Sequence, residues 1–288
     1  MSLLELPPRY DLAPMQRVET AWRPPWILIR AAQQGVRHFN AGEPIEDSHT
    51  IGGAGTVSWL VLADGVSSAR FSHDGSRLAC HAIEHYLGHQ ITKGAPPSKK
   101  LLLEAIGYAH GELNSLAKRQ QQPVYEYACT LAAALINGDH IIAASIGDSS
   151  IATSSTHKGN DGKDVRYLTG FVTPKQSGAS DETWSLIEPK WLDVLATNET
   201  RNPAVDGIYL ATDGGQNFFT DEVGPDTYEF DPAYPNALRD ALGAWGPLLI
   251  GNVMTFFMEK EPAENKDDRS ILIAYRPPQN LAPPAQEP

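Results

Sequence analysis

The sequence predicts an α+β sandwich, and the order of its elements carries that prediction. A strongly apolar strand pattern comes first, two amphipathic helix patterns follow it, and the next element is an antiparallel hairpin. Two adjacent helices followed by a hairpin do not fit the regular strand–helix alternation that builds a parallel sheet. The pattern therefore favours antiparallel sheets with helices packed on them.

Five segments carry strand patterns. Residues 56–63 are apolar at alternating positions on both faces, which indicates a strand covered on both sides. Residues 129–136 and 140–146 are apolar runs around Asn137-Gly138, a dipeptide typical of a tight hairpin. Residues 207–211 and 270–275 are short apolar runs that we predict to be further strands.

Three regions carry helical spacing. Residues 74–91 place apolar side chains every three or four positions. Ser98 is predicted to cap a second helix, whose apolar stripe runs from Leu102 to Leu116. A third helical region is predicted over residues 235–258, interrupted near residue 246.

The less regular segments define the predicted domain organisation. Residues 1–25 are rich in Pro and Arg without periodicity, and we predict an extended N-terminal arm. Residues 26–276 form one predicted domain, within which residues 154–206 are predicted to be an irregular, flap-like insertion. Residues 277–288 are Pro-rich and are predicted to be a disordered tail.

Charge and cysteine content exclude several classes of protein. The net charge is −12, with 35 acidic against 23 basic residues and no cluster of Lys and Arg, which argues against a nucleic-acid-binding role. No apolar run reaches the roughly 18 residues of a membrane span. Cys80 and Cys129 are the only cysteines, which suits a reducing compartment. We expect no signal peptide, no membrane association and a cytoplasmic location.

Acidic residues recur where the predicted strands begin or end. The set comprises Glu46, Asp47, Asp64, Asp148, Asp213 and Asp267. Carboxylates that converge at the rim of a sheet repel one another unless divalent cations neutralise them, and hard oxygen ligands suit Mg²⁺ or Mn²⁺. One Asp-Gly pair at a strand end is most often only a turn, so the joint order of the set carries the signal.

Five sequence blocks, in order, resemble the metal-dependent protein phosphatases of the phosphatase 2C type. They are GVRHFNAGEPIEDSH, WLVLADGVSS, CTLAAALINGDHIIAASIGDSSI, GIYLATDGGQNFF and DDRSILIAY. The resemblance spans residues 35–275 and implies a four-layer α-β-β-α sandwich of two antiparallel sheets flanked by helices. It also implies hydrolysis of phosphoserine and phosphothreonine in proteins by a water activated between two Mn²⁺ or Mg²⁺ ions. The implied partners are a phosphorylated protein substrate and a kinase or that kinase's target.

The resemblance also implies the roles of single residues in binding the two ions. Asp64 would bridge both ions, with the carbonyl oxygen of Gly65 on one of them. Asp213 and Asp267 would bind the other ion. Asp47, with Glu46 beside it, is the residue that would hold water on the ions.

Two further features of the resemblance concern phosphate binding and a third ion. Arg37 or His38 would approach the substrate phosphate, although the spacing from Arg37 to Asp47 is longer than in the commonest form of the family. Asp148 would contribute to a third cation site. Asn217 stands where the family often has a carboxylate, so we expect that third site to be weak or empty.

Alternative readings remain open beside this one. The chain could be a phosphatase-fold binding or regulatory protein with weak or no activity, or another two-metal hydrolase such as a nuclease. The acidic net charge speaks against a nuclease. His81, His85 and His89 form a separate helical stripe that is either a polar flank or a structural zinc site, for which no fourth ligand is evident.

Overall fold

Two antiparallel sheets form the body of the protein in a computed structural model, which describes residues 17–158, 162, 164–172, 183–218, 220–224, 227–230, 236–237 and 267–277. Strands are numbered in chain order. The five-stranded sheet contains, in spatial order, β3 (Ser48–Ala54), β4 (Val57–Ala63), β5 (Leu131–Asn137), β6 (His140–Ile146) and β9 (Ala196–Arg201). The six-stranded sheet contains β1 (Arg17–Arg23), β2 (Trp26–Gln33), β13 (Arg269–Tyr275), β10 (Val205–Ala211), β7 (Ser150–Lys158) and β8 (Asp164–Val172). A separate pair joins β11 (Thr220–Gly224) to β12 (Thr227–Phe230).

Within the described ranges, two long helices and two short ones are complete. They are α1 (Val36–Ala41), α2 (Ser72–Thr92), α3 (Lys99–Gln120) and α4 (Trp191–Val194). Short 3₁₀ turns occur at Val124–Tyr127 and Asp213–Phe218. None of the described helices is long and apolar enough to cross a membrane.

Strand β4 shows how the layers are packed. Val57, Trp59 and Val61 lie in the core that α2 and α3 share with the five-stranded sheet. Leu60 and Leu62 point the other way, into the core between the two sheets. The alternation follows from the two-residue period of a strand, and it confirms the prediction of a strand covered on both faces. The α+β class with two antiparallel sheets is likewise confirmed.

The strongly periodic segments formed the predicted elements. The predicted strands correspond to β4, the β5–β6 hairpin, β10 and β13, and the predicted helices to α2 and α3. Ser98 caps α3, because its Oγ accepts a hydrogen bond from the amide of Leu101 at 3.2 Å. The third predicted helical region lies outside the described residues apart from 236–237, as does the predicted tail beyond residue 277.

Part of the predicted extended arm of residues 1–25 belongs to the six-stranded sheet, because Arg17–Arg23 is strand β1. It pairs antiparallel with β2, from Arg17 opposite Ala32 to Arg23 opposite Trp26. As an edge strand, β1 is held by backbone hydrogen bonds on one side only, so charged residues are tolerated along it. Glu19 forms an ion pair with Arg30 on the neighbouring strand.

The prediction that residues 154–206 are irregular is wrong for most of the described part of that range. It contains most of β7, all of β8, and α4 and β9. Strand β7 shows no clear apolar pattern in the sequence, because several of its side chains are hydroxyls that form hydrogen bonds within the fold. Ser154 and Thr156 donate to the two carboxylate oxygens of Asp206 at 2.6 and 2.5 Å. A polar sequence therefore forms a strand here, and residues 151–154 of it are buried. Residues 159–161, 163 and 173–182 lie outside the described residues.

Candidate active site

One end of the two-sheet core gathers the acidic residues. The end of β4 lies beside the start of β3, and the start of β5 lies beside the end of β6. In the other sheet the end of β10 lies between the starts of β7 and β13. The residues that flank these strand ends are Glu46, Asp47, Asp64, Asp148, Asp213, Asp267 and Asp268. The antiparallel topology therefore brings every predicted acidic residue to the same rim.

Asp47 is a buried carboxylate with one unsatisfied oxygen. Its Oδ2 accepts a hydrogen bond from the Thr212 hydroxyl at 3.0 Å, whereas Oδ1 has no hydrogen-bond partner within the described part of the chain. Burial, together with the negative charges of Asp268 and Asp213, raises the pKa of Asp47 well above its usual range. A buried oxygen without a partner is a position that a cation would satisfy.

Asp64 lies where β4 ends and is held there by its backbone. Its amide donates to the Thr130 hydroxyl at 3.0 Å, and its carbonyl accepts from the Thr130 amide at 2.7 Å. Burial raises the pKa of Asp64 well above its usual range, and the charges of Asp47, Asp213 and Asp267 raise it further. These carboxylates therefore lie close enough to repel one another.

Gly65 follows Asp64 in a space that has no room for a side chain. A Cβ atom at this position would lie 2.8 Å from the Cβ of Ser72 and 3.0 Å from the carbonyl oxygen of Glu46. Only glycine lets the backbone after Asp64 pass so close to both α2 and the Glu46 segment.

Asp213 belongs to the 3₁₀ turn that follows β10 and is solvent-exposed on one side. Partial burial raises the pKa of its carboxyl, and the charges of Asp148 and Asp267 add to the effect. The amide of Gly214 donates to Asp213 Oδ1 at 2.5 Å, which partly offsets that rise. Asp267 Oδ1 accepts from the amide of Asp268 at 2.9 Å.

Asp148 is exposed, and the Thr183 hydroxyl donates to its Oδ2 at 2.9 Å. Asn217 lies in the same 3₁₀ turn as Asp213, but its side chain is outside the description. The expectation of a weak third cation site therefore stays a prediction.

Asp268 is a site residue that sequence reasoning did not assign. Its buried carboxylate accepts hydrogen bonds from the Gly35 amide at 2.7 Å, the Glu46 amide at 2.6 Å and His38 Nδ1 at 3.0 Å. It thereby ties α1 and the acidic segment before β3 to the start of β13. One signal was available in the sequence: neighbouring residues beside a strand face opposite ways, so Asp267 and Asp268 cannot share one role.

The two predicted phosphate-binding residues have different surroundings. His38 is buried, and its bond to Asp268 is the main cause that raises its pKa. Its Nε2 lies 2.9 Å from Nη2 of Arg37. A guanidinium can only donate, so Nε2 is the acceptor in this contact and Nδ1 carries the proton donated to Asp268. Arg37 itself is exposed, and its charged group is therefore the one accessible to a ligand.

Glu46 is anchored to α2. Its Oε1 accepts from the Ser72 hydroxyl at 2.8 Å, and its carbonyl oxygen accepts from the Ser76 hydroxyl at 2.5 Å. Burial raises the pKa of Glu46, and the hydrogen bond from Ser72 partly offsets that rise. The N-terminal turns of α2 thus position the backbone and side chain next to Asp47.

The carboxylate oxygens of the acidic rim are the type of ligand that a hard divalent cation prefers. Among the described residues, no three His, Cys, Asp or Glu side chains already form a group that could hold a metal ion. The available donors are nevertheless carboxylate oxygens that repel one another, and Asp47 Oδ1 has no hydrogen-bond partner among the described residues. Positive charge is what such an arrangement lacks, and Mn²⁺ or Mg²⁺ would supply it through oxygen ligands.

Comparisons with known proteins agree with the fold. A bacterial serine phosphatase superposes with a TM-score of 0.59 at 15% identity, covering 88% of this chain and 99% of that one. Serine/threonine phosphatase Stp1 from Staphylococcus aureus gives a TM-score of 0.56 at 15% identity, covering 93% and 98%. The catalytic domain of the phosphatase PstP, solved in complex with two manganese ions, gives 0.53 at 17% identity, covering 87% and 97%.

Sequence comparison supplies the family. A search of curated proteins finds no significant match. The sequence profile of the family described as "Protein phosphatase 2C" matches residues 34–240, which is more than half of the chain. That range includes every predicted site residue except Asp267. The chain therefore belongs to the protein phosphatase 2C family and is classed with the serine/threonine protein phosphatases.

Proposed function

We propose that this protein hydrolyses phosphoserine and phosphothreonine in phosphorylated proteins, using two Mn²⁺ or Mg²⁺ ions bound by Asp64, Asp213 and Asp267. One observation carries the proposal: carboxylates from both sheets meet at one rim, where burial and mutual repulsion raise their pKa values. Carboxylates that repel one another lower the stability of the protein without a cation, and they become its ligands when a cation binds.

The carboxylates have distinct parts in this proposal. Asp64 would hold the ions together with Asp213 and Asp267, and the carbonyl oxygen of Gly65 would add a further oxygen ligand. Asp47 and Glu46 would orient water, because one oxygen of Asp47 is free of hydrogen bonds in the described structure. When bound, the ions would supply the positive charge that makes a water nucleophilic and that stabilises the phosphoryl group. PstP, which was solved with two manganese ions, offers a precedent for this stoichiometry in a protein of similar fold.

Arg37 would bind the phosphate oxygens of the substrate. Its guanidinium is exposed beside the acidic rim and offers several donors in the flat geometry that phosphate prefers. His38 would act as a positioning residue, because it is buried between Asp268 and Arg37 and accepts from the guanidinium at 2.9 Å. This proposal separates the two residues that the sequence left as alternatives.

Hydrolysis of para-nitrophenyl phosphate and of a phosphothreonine peptide, each with and without Mn²⁺, tests the proposal. Asp64→Asn should lower kcat by about 100-fold or more, the scale on which loss of one electrostatic stabiliser acts. Glu104→Gln is the matched control, because Glu104 is an exposed carboxylate on α3. Absence of Mn²⁺-dependent hydrolysis in the unmutated protein would favour the binding or regulatory alternative.

We also propose that residues 183–195 border the path of the phosphoprotein substrate. Thr183 donates to Asp148 at the acidic rim, and the Leu186 amide donates to the Cys129 carbonyl at 2.8 Å. Farther along, the Trp191 ring lies 6.2 Å from the His110 ring on α3. The segment is therefore anchored both at the rim and on a helix.

Thr183→Val keeps the side-chain shape and removes the hydrogen bond to Asp148. If this segment guides protein substrates, kcat/KM should change more for the phosphothreonine peptide than for para-nitrophenyl phosphate. The aryl phosphate is small enough to react without contacting the segment. Equal changes for both substrates would count against the proposal.

A further inference from the structure

Three histidine rings form a ladder along α2, away from the acidic rim. His81, His85 and His89 recur at four-residue intervals. The ring centroids are 6.5 Å apart for His81 and His85, and 6.3 Å apart for His85 and His89. The planes of His85 and His89 are nearly parallel, at 8°, and both side chains are exposed.

Within the described residues, the rings of this ladder have no hydrogen-bond or ion-pair partner, unlike other histidines of the chain. His38 is bonded to Asp268, His140 to Glu199 and His157 to Ser155. Imidazole nitrogens that no protein group occupies are available to an external ligand.

The spacing suits a chelate formed by two side chains of one helix. Residues four apart on a helix have Cβ atoms about 5–6 Å from each other, which lets two imidazoles reach one ion. Imidazole prefers Zn²⁺, Cu²⁺ and Ni²⁺, whereas Mg²⁺ and Mn²⁺ prefer the carboxylate oxygens of the rim. The chain therefore presents two donor sets of different metal preference.

We propose that His85 and His89 bind one cation of the zinc, nickel and copper class, with water completing its coordination. No group of three potential ligands is assembled in the described residues, so the site is a two-histidine chelate. His81 offers a second pairing with His85, whose plane is tilted by 42°. His85 is thus the ligand common to both pairings. This site is independent of the proposed phosphatase function.

The proposal is tested by isothermal titration calorimetry of the full, tag-free chain with Zn²⁺. Excess Mg²⁺ is present throughout, so that the carboxylates of the acidic rim are occupied. Loss of a direct ligand should weaken binding at least as much as loss of a group that orients one, which costs about 10- to 100-fold. We expect His85→Gln to weaken Zn²⁺ binding by about that factor or more, and His89→Gln to weaken it less because the His81–His85 pair remains.

Two controls make the outcome decisive. His81→Gln should retain Zn²⁺ binding, since the parallel pair is intact, and His157→Gln removes an exposed histidine of β7 that is outside the ladder. Melting temperatures without Zn²⁺ show whether each variant is folded. Zn²⁺ affinity that is unchanged in His85→Gln, or the absence of any histidine-dependent Zn²⁺ binding, would overturn the proposal. Phosphatase activity does not enter this test, so its outcome is separate from that of the proposed function.

Discussion

At the scale of single residues, Asp268 links separate segments of the chain at the acidic rim. Three donors from two separate segments meet its carboxylate: the amides of Gly35 and Glu46, and the His38 ring. The carboxylate of its neighbour Asp267 accepts a hydrogen bond from the amide of Asp268. Asp268 therefore organises the rim, whereas the role of Asp267 as a cation ligand stays a prediction.

Asp268→Asn should lower the melting temperature in EDTA. The amide keeps the shape of the carboxylate but turns a donating NH₂ group toward the amide of Gly35 or Glu46, leaving a buried donor unsatisfied. That costs about 1–3 kcal/mol, or roughly 2–10 °C for a domain of this size. Asp267→Asn is the matched control, and we expect it to weaken Mn²⁺ activation without lowering the melting temperature in EDTA, because it removes one of the mutually repelling charges. An unchanged melting temperature for Asp268→Asn would contradict this assignment.

Asp64→Asn should raise the melting temperature of the metal-free protein at neutral pH. The pKa of Asp64 is raised in the folded state, so the folded protein holds a proton that the unfolded chain releases above about pH 4. The contribution of Asp64 to the free energy of unfolding therefore falls as the pH rises from about 4 toward the folded-state pKa of its carboxyl. The advantage of Asp64→Asn over the unmutated protein in EDTA should grow across the same range.

Added Mn²⁺ should reverse that order, because the cation stabilises the unmutated protein more than the variant. Melting curves at several pH values, with EDTA and with Mn²⁺, measure both effects. An Asp64→Asn variant that melts below the unmutated protein at pH 7 in EDTA would show that repulsion at this position is unimportant.

At the scale of elements, α2 connects the core to the rim. Its buried residues pack on the five-stranded sheet together with α3, and its first turns hold Glu46 through Ser72 and Ser76. Gly75 lies on the same turns in close contact with the chain after α3: a Cβ there would be 2.2 Å from the carbonyl oxygen of Tyr127. The close approach of α2 to this segment therefore depends on glycine.

Gly75→Ala and Gly111→Ala should change stability in opposite directions. The added methyl at Gly75 would collide with backbone, so α2 must shift, and we expect a loss of about 1–3 kcal/mol. Gly111 lies within α3 with open space around the Cβ position, so alanine there should gain about 0.5–1 kcal/mol by restricting the unfolded chain. Chemical denaturation measures both. A stabilising Gly75→Ala would refute the close packing of α2.

At the scale of the whole molecule, Arg276 joins the two sheets at the end opposite to the acidic rim. It follows β13, and its guanidinium lies 4.6 Å from the Trp26 ring of β2. The same group forms an ion pair with Asp139 at 2.7 Å and donates to the Gly138 carbonyl at 3.1 Å, both at the turn of the β5–β6 hairpin. Trp26 Nε1 donates to that carbonyl as well, at 3.1 Å.

Arg276→Lys should lower the free energy of unfolding by about 1 kcal/mol. Lysine keeps the positive charge but lacks the planar guanidinium, which stacks on the Trp26 ring and donates to both Asp139 and the Gly138 carbonyl. This loss of stability corresponds to a melting temperature lower by about 2–4 °C. Phosphatase activity should be unchanged, since the contact lies far along both sheets from the rim. Arg201→Lys, at an exposed position where β9 ends, is the matched control. Equal melting temperatures for both variants would exclude Arg276 as a link between the sheets.

The acidic rim itself was predictable in its membership but not in its internal arrangement. Asp64 and Asp213 stand directly after apolar runs that end in Gly-containing turns, so their place at strand ends follows from local pattern. The bond between His38 and Asp268 joins residues 230 positions apart, and no local pattern encodes it. Which of Arg37 and His38 is exposed depends on that bond.

The amino-acid sequence by itself determined the elements whose apolar residues repeat with a clear period: β4, the β5–β6 hairpin, β10, β13, α2 and α3. Burial of a continuous apolar face is a large and local preference, so the period is visible in the chain. Only the tertiary structure decided β1, β7 and β8, and the hydrogen bonds that Asp268 accepts from Gly35, His38 and Glu46. Those features depend on hydrogen bonds to distant partners, such as Asp206 for the hydroxyls of β7, and a hydrogen bond has no sequence period.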